Sequence, residues 1–300
     1  MLYDVTLKID YDYETPVAGG HHLVRVAPRS DGGQRLVASS LTFDPLPAER
    51  TDRPDFFANP VTSIAFREPH ERFEARMTAR VMVDRYDDMF DMSPDIGGLR
   101  TDLDRVHDIG PGSPHHFLAA SPRVVLDADV ADYARQSLRS ASTVKGAVAD
   151  LCRRIHQDFT YDPEATEVQT SAIEAFVLRR GVCQDFAHIM ISGLRSIGVP
   201  AGYVSGYLRT IPPPGRERLE GADSMHAWVR AWCGAKAGWV EFDPTNNLIV
   251  ANDHIAVAHG RDYLDVSPIV GVLKTFGSHE TSQSVDVVPV EGGTRAPGCP

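Results

Sequence analysis

Cys183 combines a reactive side chain with a position at the start of a predicted helix. Apolar residues follow it at helical spacing, including Phe186, Met190 and Leu194. The first turn of a helix offers unpaired N–H groups and the positive end of its dipole, and both stabilise a thiolate. A thiolate attacks carbonyl carbon, so the position predicts a nucleophile. A lone cysteine is also typical of a buried structural residue, and other residues must separate the two interpretations.

Two later stretches, residues 225–233 and 238–247, supply a histidine and a carboxylate. Both alternate like half-buried strands, and the glycine-containing turn between them predicts a β-hairpin. If the loop between the strands has an even number of residues, His226 and Asp243 lie on the same face of the hairpin as opposite or diagonal neighbours. With Cys183 they form a set for thiol acyl transfer. The histidine takes the thiol proton, while the aspartate orients the imidazole and stabilises its charged form.

The motifs GVCQDFAH, HAWV and FDPTN, which carry Cys183, His226 and Asp243 in this order, resemble the transglutaminase-like superfamily of papain-type cysteine enzymes. The resemblance is strongest to its bacterial branch, in which a β-rich N-terminal region precedes the catalytic core. It extends over nearly the whole chain. Two departures from the branch, Met225 before the histidine and Arg230 where an acid is common, concern the substrate-facing surface and not the triad.

Three further residues are candidates for the oxyanion site and the substrate cleft. Gln184 and the backbone N–H of Cys183 are the nearest donors for an oxyanion. Gly181 breaks the preceding helix, which either lets a substrate backbone approach the thiol or simply forms a turn between helices. Trp228 lies two positions after His226 and therefore on the same face of the strand, where it either lines the cleft or belongs to the core.

The hydrophobic pattern divides the chain into three parts. Residues 1–120 hold five candidate strands and a solvated linker, which predict a β-sandwich-like accessory domain. Residues 121–290 predict an α+β unit, which the resemblance identifies as a papain-like transglutaminase core with helices packed on an antiparallel sheet. Residues 291–300 predict a flexible tail with Cys299 exposed. The loop at 210–224 predicts either a lid that frames the substrate or a plain mobile loop.

Composition excludes several classes of function. The net charge of −11 disfavours nucleic acid and anionic membrane surfaces as partners. No apolar run reaches the roughly 20 residues of a membrane helix, and the N-terminus lacks the pattern of a secretory signal. Four cysteines without close pairing or CxxC favour a cytoplasmic location. No cofactor and no metal are expected, and the oligomeric state is left open.

These observations predict a cysteine-dependent acyl-transfer enzyme that acts on peptides, proteins or small amides. Water as acceptor gives a peptidase or amidase, whereas an amine gives a transglutaminase. Cleft desolvation and acceptor binding decide between them, so the triad leaves both open. The alternatives are a non-catalytic peptide- or protein-binding module that retains the fold, and a zinc protein built on cysteine and histidine.

Overall fold

The computed structural model describes residues 1–85, 90–210, 221, 223–273 and 277–290 of the 300-residue chain. Within these ranges the strands are β1 (Leu2–Val17), β2 (Gly20–Val24), β3 (Gln34–Asp44), β4 (Glu49–Pro54), β5 (Pro60–Phe66), β6 (His70–Val83), β7 (Thr160–Tyr161), β8 (Arg180–Gly181), β9 (Ala201–Leu208), β10 (Ser224–Trp232), β11 (Trp239–Asp243), β12 (Leu248–Ile249), β13 (His254–Gly260), β14 (Ile269–Leu273) and β15 (His279–Pro289). The α-helices are α1 (Ile96–Asp104), α2 (Ala128–Ser140), α3 (Val144–Asp158), α4 (Ala172–Leu178), α5 (Cys183–Ser196) and α6 (Tyr263–Val266), with a 3-10 helix at Pro114–Phe117.

Two four-stranded antiparallel sheets form the N-terminal part, in the orders β15-β1-β6-β3 and β14-β2-β5-β4. The residue pattern of β1 explains why it forms a strand of such a sheet. Tyr3, Val5 and Leu7 are buried while the residues between them are partly exposed, which is the alternation of a sheet with one face in the core. The strands β14 and β15 come from the other end of the chain. The predicted limits count residues 254–290 with the catalytic core, but in the structure part of this segment completes the N-terminal sheets.

A five-stranded antiparallel sheet, in the order β12-β11-β10-β9-β13, carries the second half of the fold. Helices α2 to α5 form a layer that packs against it, and α5 is the central helix of this layer. The side chains of Phe186, Met190 and Leu194 are buried, as the helical pattern predicts. None of the described helices combines the length and the apolar character needed to cross a membrane.

The linker between the two parts is packed at two short helices, whereas most of its other described residues, such as 107–109 and 111–112, are exposed, as a solvated connection predicts. Leu99 and Leu103 of α1 and Phe117 of the 3-10 helix are buried. The glycine pair in IGGLRTDLD lowers intrinsic helix propensity, yet tertiary burial and the Asp95 side chain, which accepts the Gly98 N–H at 2.7 Å, stabilise the helix. Residues 86–89 and 211–220, the latter part of the predicted lid loop, lie outside the described residues, as does the predicted tail with Cys299.

Candidate active site

Cys183 is the first residue of α5, and its side chain is half-buried. The residue before it, Val182, has no polar side chain to cap the helix. The cap comes instead from Asp185, whose Oδ2 accepts the Val182 N–H at 2.8 Å and the Thr166 hydroxyl at 2.6 Å. The buried carboxylate thus fixes the backbone next to the thiol. Burial raises the pKa of Asp185, and these two hydrogen bonds oppose the rise.

Gly181 provides the space that this cap requires. Its φ of +156° is one that L side chains rarely adopt, and a Cβ on it would lie 2.5 Å from Asp185 Oδ2. The missing side chain therefore has a packing reason that is independent of substrate. The predicted role of Gly181 in substrate approach stays a prediction.

The hairpin of β10 and β11 brings His226 and Asp243 together. Val229 pairs with Phe242 and Trp232 with Trp239, so residues 233–238 form an even loop. This register puts His226 and Asp243 on one face as diagonal neighbours. His226 Nε2 donates to Asp243 Oδ2 at 2.8 Å, and both side chains are buried. The other ring nitrogen, Nδ1, is not used in this hydrogen bond and is available to the Cys183 thiol.

The electrostatics of the pair favour a protonated imidazole. Burial by itself lowers the pKa of His226, but hydrogen bonds and charge interactions with Asp243 and Cys183 outweigh it and raise the pKa to about 10. Burial likewise raises the pKa of Asp243, and the hydrogen bonds from His226 and His254 overcome this and hold it well below the ordinary value. The aspartate is thus ionised and able to stabilise an imidazolium beside the thiol.

Asp243 also binds residues to which the sequence assigned no role. His254 Nε2 donates to Oδ2 at 3.0 Å, and Asn246 Nδ2 donates to the same oxygen at 2.7 Å. The backbone N–H groups of Thr245 and Asn246 donate to Oδ1 at 2.9 and 3.1 Å. The carboxylate is therefore held from several directions, and its orientation toward His226 is fixed.

The remaining predicted site residues lie near Cys183, His226 and Asp243 in different ways. Gln184 is half-buried, and its Nε2 donates to the Val168 carbonyl at 3.2 Å. Trp228 is fully buried, with its ring 6.2 Å from that of His226 and its Nε1 donating to Glu241 at 2.8 Å. Trp228 therefore packs near the His226 ring and has no exposed surface that a substrate could contact in this structure. The sequence assigned no role to Tyr161, an exposed residue whose pKa is raised by partial burial and by the charge of Cys183.

A metal could be held by His226, Asp243 and His254, whose ligand atoms lie within 4.8 Å of one another. Both histidine nitrogens, however, point at one carboxylate oxygen, at the hydrogen-bond distances given above. Two protonated Nε2 atoms on a shared acceptor account for this arrangement without an ion. Cys183 is not part of this group, so the zinc protein built on cysteine and histidine draws no support from it.

Comparisons with known proteins show the family to which the chain belongs. The bacterial transglutaminase-like N-terminal region matches residues 3–82, and the transglutaminase-like superfamily matches residues 131–244, which include Cys183, His226 and Asp243. An uncharacterised protein of Mycobacterium tuberculosis is 37% identical over 303 residues, covering 97% of this chain and 93% of that protein. The chain belongs to the transglutaminase-like superfamily and carries the N-terminal region of its bacterial members.

Two other similarities differ in extent. A protein-glutamine gamma-glutamyltransferase of Pseudomonas aeruginosa is 32% identical over 132 residues, 41% of this chain and 19% of that protein. A crystal structure from Cytophaga hutchinsonii, provisionally named a cysteine protease, gives a TM-score of 0.74 over 98% of this chain and 92% of that chain, at 22% identity. That structure shows a common fold. The predictions of the family and of the α+β fold are confirmed.

Substitution of Gly181 by alanine is expected to destabilise the protein by about 2–4 kcal/mol, because a strained φ and the overlap with Asp185 add together. Gly198, at the other end of α5, is the matched control: its φ is +86°, and no atom lies within 4 Å of the position that a Cβ would take. Gly198→Ala carries the backbone strain alone and should cost about 1–2 kcal/mol. Urea unfolding followed by circular dichroism measures both. Equal losses would show that Asp185 does not need the space.

Proposed function

We propose that this protein is a cysteine-dependent acyl-transfer enzyme acting on peptide or other amide bonds. The observation that carries the proposal is the ionised Asp243 bonded to a buried His226, which interacts with a half-buried thiol at a helix start. Membership of the transglutaminase-like superfamily supports it. A module used only for binding would have no need of this polar constellation, whose burial is costly unless every group is paired.

In the proposed reaction, the Cys183 thiolate attacks the amide carbonyl and forms a tetrahedral oxyanion. The backbone N–H of Cys183, one of the helix-start donors without an intrahelical partner, stabilises this oxyanion together with Gln184. As the carbon–nitrogen bond breaks, His226 gives its proton to the leaving amine and an acyl-thioester remains. Water or a second amine then attacks the thioester, with His226 as base, and releases the thiol.

Selective alkylation of Cys183 is the first test. Cys152 and Cys233 are buried, which raises the pKa of each thiol to about 12 and keeps both protonated. Iodoacetamide at neutral pH, followed by peptide mapping, should therefore label Cys183 far faster than either. Faster labelling of Cys152 or Cys233 would contradict the assignment of the nucleophile.

A covalent intermediate separates the enzyme from the binding module. Incubation with a library of peptide amides and mass spectrometry of the intact protein should reveal an acyl adduct on Cys183. A glutamine-containing peptide with or without a primary amine then distinguishes transfer from hydrolysis, since only transfer incorporates the amine. Metal analysis of the purified protein tests the zinc alternative, for which stoichiometric zinc would be required.

A further inference from the structure

Tyr203 is a buried tyrosine of β9 that packs against the helix beginning with Cys183. It pairs with Val229 of β10 in the five-stranded sheet, and its ring centre lies 5.0 Å from that of His188 on α5. Only 2% of the residue is exposed. Packing accounts for the ring of Tyr203, so its hydroxyl is the part that needs a further explanation.

The hydroxyl of Tyr203 has no hydrogen-bond partner among the described residues. Buried tyrosine hydroxyls usually have one, and Tyr207 on the same strand donates to the Val26 carbonyl at 2.6 Å. The small exposed part of Tyr203 includes its hydroxyl, in contrast to the Thr245 hydroxyl, which is unpartnered and closed to solvent. A molecule that reaches this point can therefore accept a hydrogen bond from Tyr203.

The charges that act on Tyr203 indicate that its hydroxyl lies near the thiol. Burial raises the pKa of Tyr203 well above its ordinary value, and the charge of Cys183 is the next cause, ahead of that of Asp185. Because a charge interaction weakens with distance, the strongest partner is a close one. The raised pKa also keeps the hydroxyl protonated, so Tyr203 is a hydrogen-bond donor over the pH range in which a thiolate forms.

The proposed reaction needs such a donor beside the thiol. Negative charge develops on the carbonyl oxygen as the thiolate attacks, and donors that are already oriented stabilise it most. Gln184 is half-buried, and its Nε2 already donates to the Val168 carbonyl at 3.2 Å. The hydroxyl of Tyr203 is free of such an interaction and is carried by a ring that the core holds in place.

We propose that Tyr203 is a further catalytic residue, whose hydroxyl donates a hydrogen bond to the oxyanion formed when Cys183 attacks an acyl carbon. The inference rests on the proposed acyl transfer. Sulfur bonds to the carbonyl carbon and the π electron pair moves to oxygen, where Tyr203 and the Cys183 N–H stabilise it. The pair then returns, and the leaving group departs with its bonding electrons. Tyr203 keeps its proton throughout.

Two probes separate stabilisation of the oxyanion from reactivity of the thiolate. p-Nitrophenyl acetate acetylates Cys183 through an oxyanion and releases p-nitrophenolate, whereas iodoacetamide alkylates the same sulfur at saturated carbon and forms no oxyanion. Tyr203→Phe should slow acetylation of Cys183 about 100-fold, the usual effect of losing one oxyanion donor. Alkylation should stay within about twofold of the wild-type rate, because the thiolate is unchanged. Peptide mapping over time measures both reactions on Cys183 alone.

Tyr207→Phe is the matched control, since it removes a hydroxyl from the same face of the same strand that is bonded to Val26. It should react with both probes at the wild-type rate. If Tyr203→Phe does not fold by circular dichroism, Tyr203→Met gives the same comparison of the two rates. Acetylation within about threefold of the wild type, or a parallel loss of alkylation, overturns this inference alone. A wild type that is alkylated at Cys183 but never acetylated there overturns the proposed function, and this inference with it.

Discussion

Cys183→Ala is expected to abolish acyl-enzyme formation, and His226→Ala should reduce its rate by at least about four orders of magnitude. Alanine at 183 removes the only atom that can form the thioester. In the proposed reaction, alanine at 226 removes both the base that accepts the thiol proton and the acid that gives it to the leaving amine. Because the two residues act as a unit, the double variant should be no slower than Cys183→Ala.

Single-turnover acylation with any peptide amide that the library identifies measures both effects, with circular dichroism to confirm folding. Cys233→Ala is the matched control, since it removes a buried core thiol that donates a weak hydrogen bond to the Ala231 carbonyl, at 3.7 Å, and has no proposed part in the reaction. It should acylate at the wild-type rate. An adduct that persists in Cys183→Ala, or one that disappears in Cys233→Ala, would place the nucleophile elsewhere.

Local periodicity made much of this site predictable. The apolar spacing after Cys183 predicted the helix α5, in which residues 185–195 are buried on every side, and alternation in both strands predicted which side chains of the hairpin share a face. The even loop was a condition of the prediction; residues 233–238 meet it, and the shared face of His226 and Asp243 follows from it. Each of these inferences spans only a few residues along one element or one turn.

The support around Asp243 could not be predicted in the same way. Strands β11 and β13 are separated in the sheet by β10 and β9, so in a flat sheet their residues would lie about 14 Å apart. The 3.0 Å contact between Asp243 and His254 therefore requires strong curvature of the sheet. Curvature and strand order depend on long-range packing, which one sequence does not reveal. The return of β14 and β15 to the N-terminal sheets escaped prediction for the same reason.

Asp243→Asn is expected to slow acylation by about one to two orders of magnitude, which corresponds to a hydrogen bond with a charged group worth about 1.5–3 kcal/mol. An amide oxygen can still accept from His226 Nε2 and orient the imidazole, but the negative charge that stabilises its protonated form is gone, and the amide NH2 faces the Thr245 and Asn246 N–H groups that Oδ1 accepts in the wild type. The variant Asp150→Asn, which removes the charge from a half-buried carboxylate paired with Arg153, is the control and should acylate at the wild-type rate.

The pH profile should change in a defined direction. In the wild type the pKa of His226 is raised to about 10, so the imidazolium persists until the pH rises through that value. Without the charge of Asp243, burial lowers the pKa, and the imidazolium is lost at a lower pH. The rate of Cys183 alkylation, followed from pH 5 to about 11.5 so that the wild-type transition is included, should therefore show its alkaline transition shifted to lower pH in Asp243→Asn. An unchanged profile would mean that another group stabilises the imidazolium. A variant as inactive as Cys183→Ala would mean that the negative charge of Asp243 is indispensable. In that case the hydrogen bonds of residue 243 with His254 and Asn246 would not be enough to hold His226 in a productive state.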